Sequence, residues 1–95
     1  MFPKLLEIKA LSNYTLWLRY DDGTEGEICL SDMAERGIFK AWKKNEIPFE
    51  NVYIERKKIV AWSEDLEIGA DSLYLDLRKI TFEEYKKENL VHATN

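Results

Sequence analysis

The two residue types that most often supply a nucleophile, a base or a metal ligand occur once each, as Cys29 and His92. A Cys–His pair works only when both side chains are held within hydrogen-bond reach. His92 falls in the stretch 90–95, which reads as a frayed tail, so no such pair is expected. No Cys/His cluster has zinc spacing, and the glycines at 23, 26, 37 and 69 are scattered rather than gathered into a phosphate loop. Carboxylates are plentiful, densest in Glu64-Asp65-Leu66-Glu67-Ile68-Gly69-Ala70-Asp71. This run lacks the alternating Asp/Asn ladder and closing glutamate of a calcium loop, and reads as a solvated turn followed by a helix cap at Asp71. Asp21-Asp22 reads as turn residues bonding their own backbone. Carboxylate acid–base chemistry obeys no spacing rule, so an enzyme using carboxylates ranks third among the readings. The expectation is a protein with no catalytic residue, no metal and no cofactor, and not an enzyme.

Binding rather than chemistry is where the side chains gather. Cys29 alternates onto the face opposite Ile28 and Leu30 and reads as a small packed residue, with nothing beside it to lower its pKa. Trp62 ends an apolar strand and reads as core. Trp17 lies opposite the Leu16/Leu18 face, and Tyr53 lies on an amphipathic segment. For these two rings, burial and an exposed partner-binding patch stand about even. Arg56-Lys57-Lys58 reads as a solvated hairpin tip, and beside Tyr53 it is the feature best suited to single-stranded nucleic acid. The formal charge of −4 argues against a general polyanion binder. The candidate surface is therefore Trp17, Tyr53, Arg56, Lys57 and Lys58. Its expected occupant is a protein partner or a second copy in a homodimer, with a nucleic-acid-binding regulator as the second reading and tight nucleic-acid binding not expected.

These residues need elements to position them. Leu5 to Leu11 reads as a strand with Leu6, Ile8 and Ala10 on one face, and Tyr14 to Tyr20 as a second. Asp22-Gly23 signals a hairpin with Gly23 at positive φ, and Glu25 to Leu30 returns as a third strand. Asp32 with Glu35 resembles a capping box for a short helix ended by Gly37, and Ile38 to Trp42 offers another helical turn. Asn51 to Glu55 and Ile59 to Trp62 read as strands around the basic tip, with a very short strand at Leu66 to Ile68. Asp71 or Ser72 starts a helical turn, and the capping box Thr81/Glu84 starts a terminal helix from Phe82 to Asn89. The sum is an α+β domain with one mainly antiparallel sheet of about five strands and two to three short helices.

A chain of 95 residues, 45% hydrophobic and 13% aromatic, suits one domain over 1–95 with an ordered core over 3–89. No apolar run approaches the roughly 18 residues of a membrane span. A single cysteine allows no internal disulfide, and no leader pattern is legible. A cytoplasmic protein without membrane association is expected.

Several short runs, in order along the chain, resemble the bacterial domain of unknown function 2442. They are Pro3-Lys4, Asn13-Tyr14-Thr15-Leu16 leading to Asp22-Gly23, and Gly37-Ile38-Phe39 with Trp42. Phe49-Glu50-Asn51-Val52 follows, then Ile59-Val60-Ala61-Trp62 and Asp71-Ser72-Leu73-Tyr74. Ser63, Glu64 and Asp65 stand where that family commonly has Pro, Asn and Gly. Glu67 replaces an aspartate, and Ala70 a proline. The resemblance implies a small α+β fold, no established enzyme activity and no catalytic residue. It also implies pairing with a second small protein, as the antitoxin-like partner in a two-gene system.

Overall fold

The computed structural model describes residues 2–94, with side chains described over 2–88. Alternation in β2 (Thr15–Tyr20) sends Leu16, Leu18 and Tyr20 into the core and Thr15, Trp17 and Arg19 to the opposite face. β2 is the middle of a sheet in which it pairs antiparallel with β1 (Leu5–Leu11) and β3 (Glu25–Cys29). Gly23 has φ 90°, as the hairpin chemistry requires, and the Thr24 amide donates to Asp22 Oδ1 at 2.9 Å. Opposite Gly26, α1 approaches so closely that a Cβ there would lie 2.8 Å from Leu77 Cδ1.

The phase of β1 differs from the alternation read from Leu6. Leu5 pairs with Tyr20 and Glu7 with Arg19, so Leu6 is the extra residue of a bulge. Leu5 is therefore buried, Leu6 is 39% exposed, and Ile8 and Ala10 keep the inner face. One inserted residue is enough to invert a period of two.

The sheet is not one but two. β4 (Tyr53–Glu55), β5 (Ile59–Ser63) and β6 (Leu66–Gly69) form a second antiparallel sheet centred on β5, giving six strands among the described residues where about five in one sheet were expected. The cause lies in residues 30–52, which hold three 3-10 turns, Met33–Glu35, Gly37–Ala41 and Phe49–Asn51. They bring Trp42 and Phe49 into the core, so β4 cannot continue the β3 ladder. The sheets meet where β1 approaches β4, and the Leu5 amide donates to the Lys57 carbonyl at 3.1 Å. The helix α1 (Ala70–Arg78) leans on both β3 and β6 and closes the other side. It is longer than the single turn expected, and its cap is Gly69 rather than Asp71 or Ser72.

The Asp32 capping box does not form. Asp32 has helical backbone (φ −65°, ψ −36°) and makes no side-chain cap bond, whereas a cap needs extended backbone to turn its oxygen onto the first amides. Glu35 instead pairs with Lys43. The Thr81 box does form, with the Thr81 amide donating to Glu84 Oε1 at 3.0 Å and the Glu84 amide to Thr81 Oγ1 at 3.1 Å. It opens α2 (Phe82–Thr94), which docks by stacking Tyr85 on Phe2 at 4.4 Å and by a two-pronged Arg78–Glu88 pair. The frayed tail expected over 90–95, and His92 with it, lies outside the described side chains.

A chain of hydrogen bonds ties the second helix to the β2–β3 hairpin. Arg78 also donates to Tyr74 Oη at 3.3 Å, and Tyr74 Oη donates to Asp22 Oδ2 at 2.7 Å. Desolvation raises the Asp22 pKa, but the bonds from Tyr74 and Thr24 outweigh it and hold the carboxyl below its ordinary value. A depressed folded-state pKa adds stability above the unfolded-state value, near 4, and that stability is lost as pH falls through the folded value. Tyr74→Phe is therefore expected to cost about 1 kcal/mol at pH 7. Its melting-temperature gap from wild type should narrow as pH is lowered from 7 to about 3. A gap independent of pH across that range would disconnect Tyr74 from the carboxylate.

Candidate functional site

The hairpin joining β4 to β5 is built from residues that do not favour its geometry. Right-handed strand twist asks a tight hairpin for two central residues at positive φ, normally Asn-Gly or Asp-Gly. Here the pair is Arg56 and Lys57, at φ 53° and 60°, closed by the Lys58 amide donating to the Glu55 carbonyl at 3.1 Å. Left-handed backbone costs a non-glycine residue about 1–2 kcal/mol. Its neighbours hold it there: the Lys57 carbonyl accepts from the Leu5 amide, and the Lys58 carbonyl accepts from the Ala70 amide at 2.8 Å. The turn is thus docked against the start of β1 and the start of α1. The turn is the solvated hairpin tip that the sequence suggests, with its side chains exposed and, in addition, its backbone fixed.

Tyr53 sits on the same strand, 43% exposed, with Glu55 on its face of β4 and the half-buried Ile54 on the other. Arg56, Lys57 and Lys58 are exposed, and none makes an ion pair among the described residues. Four of the five candidate residues therefore share one strand and its turn. Trp17 does not join them. It lies on the outer face of the first sheet, half-buried, with the Lys9 ammonium 5.2 Å from its ring centroid and Glu27 opposite in register. A cation over an indole is itself a satisfied contact, and the neighbouring Arg19–Glu7 pair completes a partnered polar surface.

Sequence reasoning missed what the turn is docked against. Lys57 and Lys58 line a cavity of about 330 Å³ with Phe2, Pro3, Lys4 and Asp71. Asp71 also acts on the core: the buried Tyr20 phenol, which donates to the Ala70 carbonyl at 2.8 Å, has its pKa pushed well above the ordinary phenol range. Burial is the main cause and the Asp71 charge the next. No spacing joins Lys4 to residue 57 or 71; the Leu5–Lys57 and Ala70–Lys58 bonds and the edge-on contact of Phe2 with Tyr74 help bring the segments together.

Cys29 is exposed rather than packed, because the outer face of β3 carries nothing over it. Its Sγ lies 3.2 Å from Ser31 Oγ, and hydrogen bonding by the Ser31 side chain and then its backbone holds the thiol below its usual pKa. Among the described residues no three of His, Cys, Asp or Glu converge as a metal ligand set. Among them, too, no helix is long and apolar enough to cross a membrane.

A family model described as "Protein of unknown function (DUF2442)" matches residues 5–85. No curated protein and no solved structure matches the chain.

Proposed function

The chain belongs to the DUF2442 family of proteins of unknown function, and from that premise we propose that it is a non-catalytic module binding a protein partner along β4 and the cationic turn. The observation that carries this reading is the Arg56-Lys57 pair in left-handed backbone. A turn serving only the fold would be more stable with asparagine and glycine, and strain retained beside exposed, unpaired cations suits binding. Tyr53 adds a ring of the kind that anchors interfaces. The chemistry asks for an acidic partner segment that sets an apolar side chain against Tyr53 and carboxylates against the turn. The family resemblance supports a second small protein as that partner, with this chain as the antitoxin-like member of a two-gene pair.

The test is co-purification with the product of the adjacent gene, followed by calorimetry. Tyr53→Ala and Arg56→Glu should each weaken binding about tenfold, or about 1.4 kcal/mol, while leaving the melting temperature nearly unchanged. Full-strength binding by both variants would remove this surface from consideration. Sub-micromolar, sequence-selective binding of single-stranded RNA or DNA, with a steep salt dependence, would replace the protein partner by a nucleic acid. The excess of acids over bases, 18 against 14, argues against that outcome.

A further inference from the structure

We propose that the cavity lined by Phe2, Pro3, Lys4, Lys57, Lys58 and Asp71 is a binding site for a small, hydroxyl-bearing organic phosphate. Three lysines and one aspartate are among the lining residues, a formal charge of +2 for the lining in a chain whose formal charge is −4. Lys4, Lys57 and Lys58 make no ion pair among the described residues, as holds for every lysine there but Lys43, so their charges are available to a ligand. Three like charges around one cavity repel one another, and a bound anion relieves that repulsion.

The walls are fixed in advance. Lys57 and Lys58 are held through their carbonyls by the Leu5 and Ala70 amides. Lys4 is held on both sides: its amide donates to Asp21 Oδ1 at 3.1 Å, and its carbonyl accepts from the Asp21 amide at 2.9 Å. Backbone fixed before binding lowers the ordering cost that usually weakens small sites. Lysine meets phosphate as a point charge, and a dianionic phosphate monoester matches a charge of +2.

Size and the remaining lining define the rest of the ligand. A volume of about 330 Å³ is in the range of small-molecule sites, which begins near ~300 Å³, and exceeds what a bare phosphate fills. Asp71 accepts a hydroxyl hydrogen bond, and Phe2 and Pro3 cover a carbon face. A sugar phosphate has all three parts. This inference shares Lys57 and Lys58 with the partner reading but is separable from it, because it needs Lys4 and Asp71, while Tyr53 and Arg56 do not line the cavity.

The experiment is a titration of the isotopically labelled full chain with ribose 5-phosphate, followed by amide NMR. Ribose, inorganic phosphate and a short single-stranded RNA serve as comparison probes. Saturable shifts are expected at Lys4, Leu5, Lys57, Lys58, Ala70 and Asp71, with a Kd below about 1 mM. Affinity should fall as pH drops through the second phosphate pKa, near ~6. Lys4→Gln and Lys58→Gln should each weaken binding several-fold with the spectrum otherwise preserved, and Tyr53→Ala should leave it unchanged. Shifts that do not saturate, or that are equal at Lys43 and Lys44, would overturn the site. Equal affinity for ribose or for inorganic phosphate would overturn the organic phosphate. Tighter binding of the RNA would assign the lysines to a nucleic-acid backbone instead.

Discussion

Replacing Trp62 by alanine is expected to remove about 3–5 kcal/mol of stability, against a total of roughly 5–15 kcal/mol for a domain of this size. Trp62 is 5% exposed on β5, the middle strand of the second sheet, with its ring centroid 4.7 Å from that of Trp42 and 5.6 Å from that of Phe49. Truncation would open a cavity at the point where the long 30–52 connection packs on the sheet. It would also leave the Phe49 carbonyl without the 2.7 Å bond it accepts from Trp62 Nε1, and an unmet buried acceptor adds about 1–3 kcal/mol. Trp62→Phe keeps a six-membered ring but loses the donor and part of the indole volume, so its cost sets an upper limit on the hydrogen-bond contribution. Urea denaturation of both variants measures the two costs. A loss under about 1 kcal/mol for the alanine variant would mean that the core is built elsewhere.

The features legible in the sequence are those decided within a few residues. Trp62 announces itself as the end of an apolar run, Gly23 by the aspartate before it, and the start of α2 by Thr81 and Glu84 facing each other across one helical turn. Features set by contacts distant in the chain were illegible. The bulge at Leu6 depends on how β1 registers against Tyr20 and Arg19, and no local pattern marks it. Asp32 and Glu35 have the spacing of a cap, but Lys43 captures the glutamate. The break into two sheets follows from Trp42 and Phe49 filling the core between β3 and β4, a matter of volume rather than periodicity. The candidate surface divides in the same way. Tyr53 and Arg56 to Lys58 form a contiguous run that sequence could find. Lys4 and Asp71 meet that run because tertiary contacts, backbone hydrogen bonds among them, draw the N-terminal segment and the start of α1 to the same turn.

Rebuilding that turn as Arg56→Asn with Lys57→Gly is expected to stabilise the protein by about 2 kcal/mol while weakening partner binding at least about tenfold. The native pair holds φ 53° and 60°, a region that places Cβ against the following carbonyl at about 1–2 kcal/mol per residue. Glycine removes that clash at position 57 and asparagine reduces it at 56, and together they are the preferred pair for this hairpin. Part of the gain is offset, because glycine loses more backbone freedom on folding. The bonds from Leu5 to Lys57 O and from Ala70 to Lys58 O use main-chain atoms only, so the substitutions leave the docking of the turn intact. A stability gain with binding weakened would show that the two cations are kept for recognition at the expense of the fold. Thermal unfolding and calorimetry with the partner read the two effects separately. If the variant is no more stable than wild type, the left-handed backbone carries no strain and the turn gives no sign of a binding role. If it is more stable and still binds at full strength, Arg56 and Lys57 lie outside the interface.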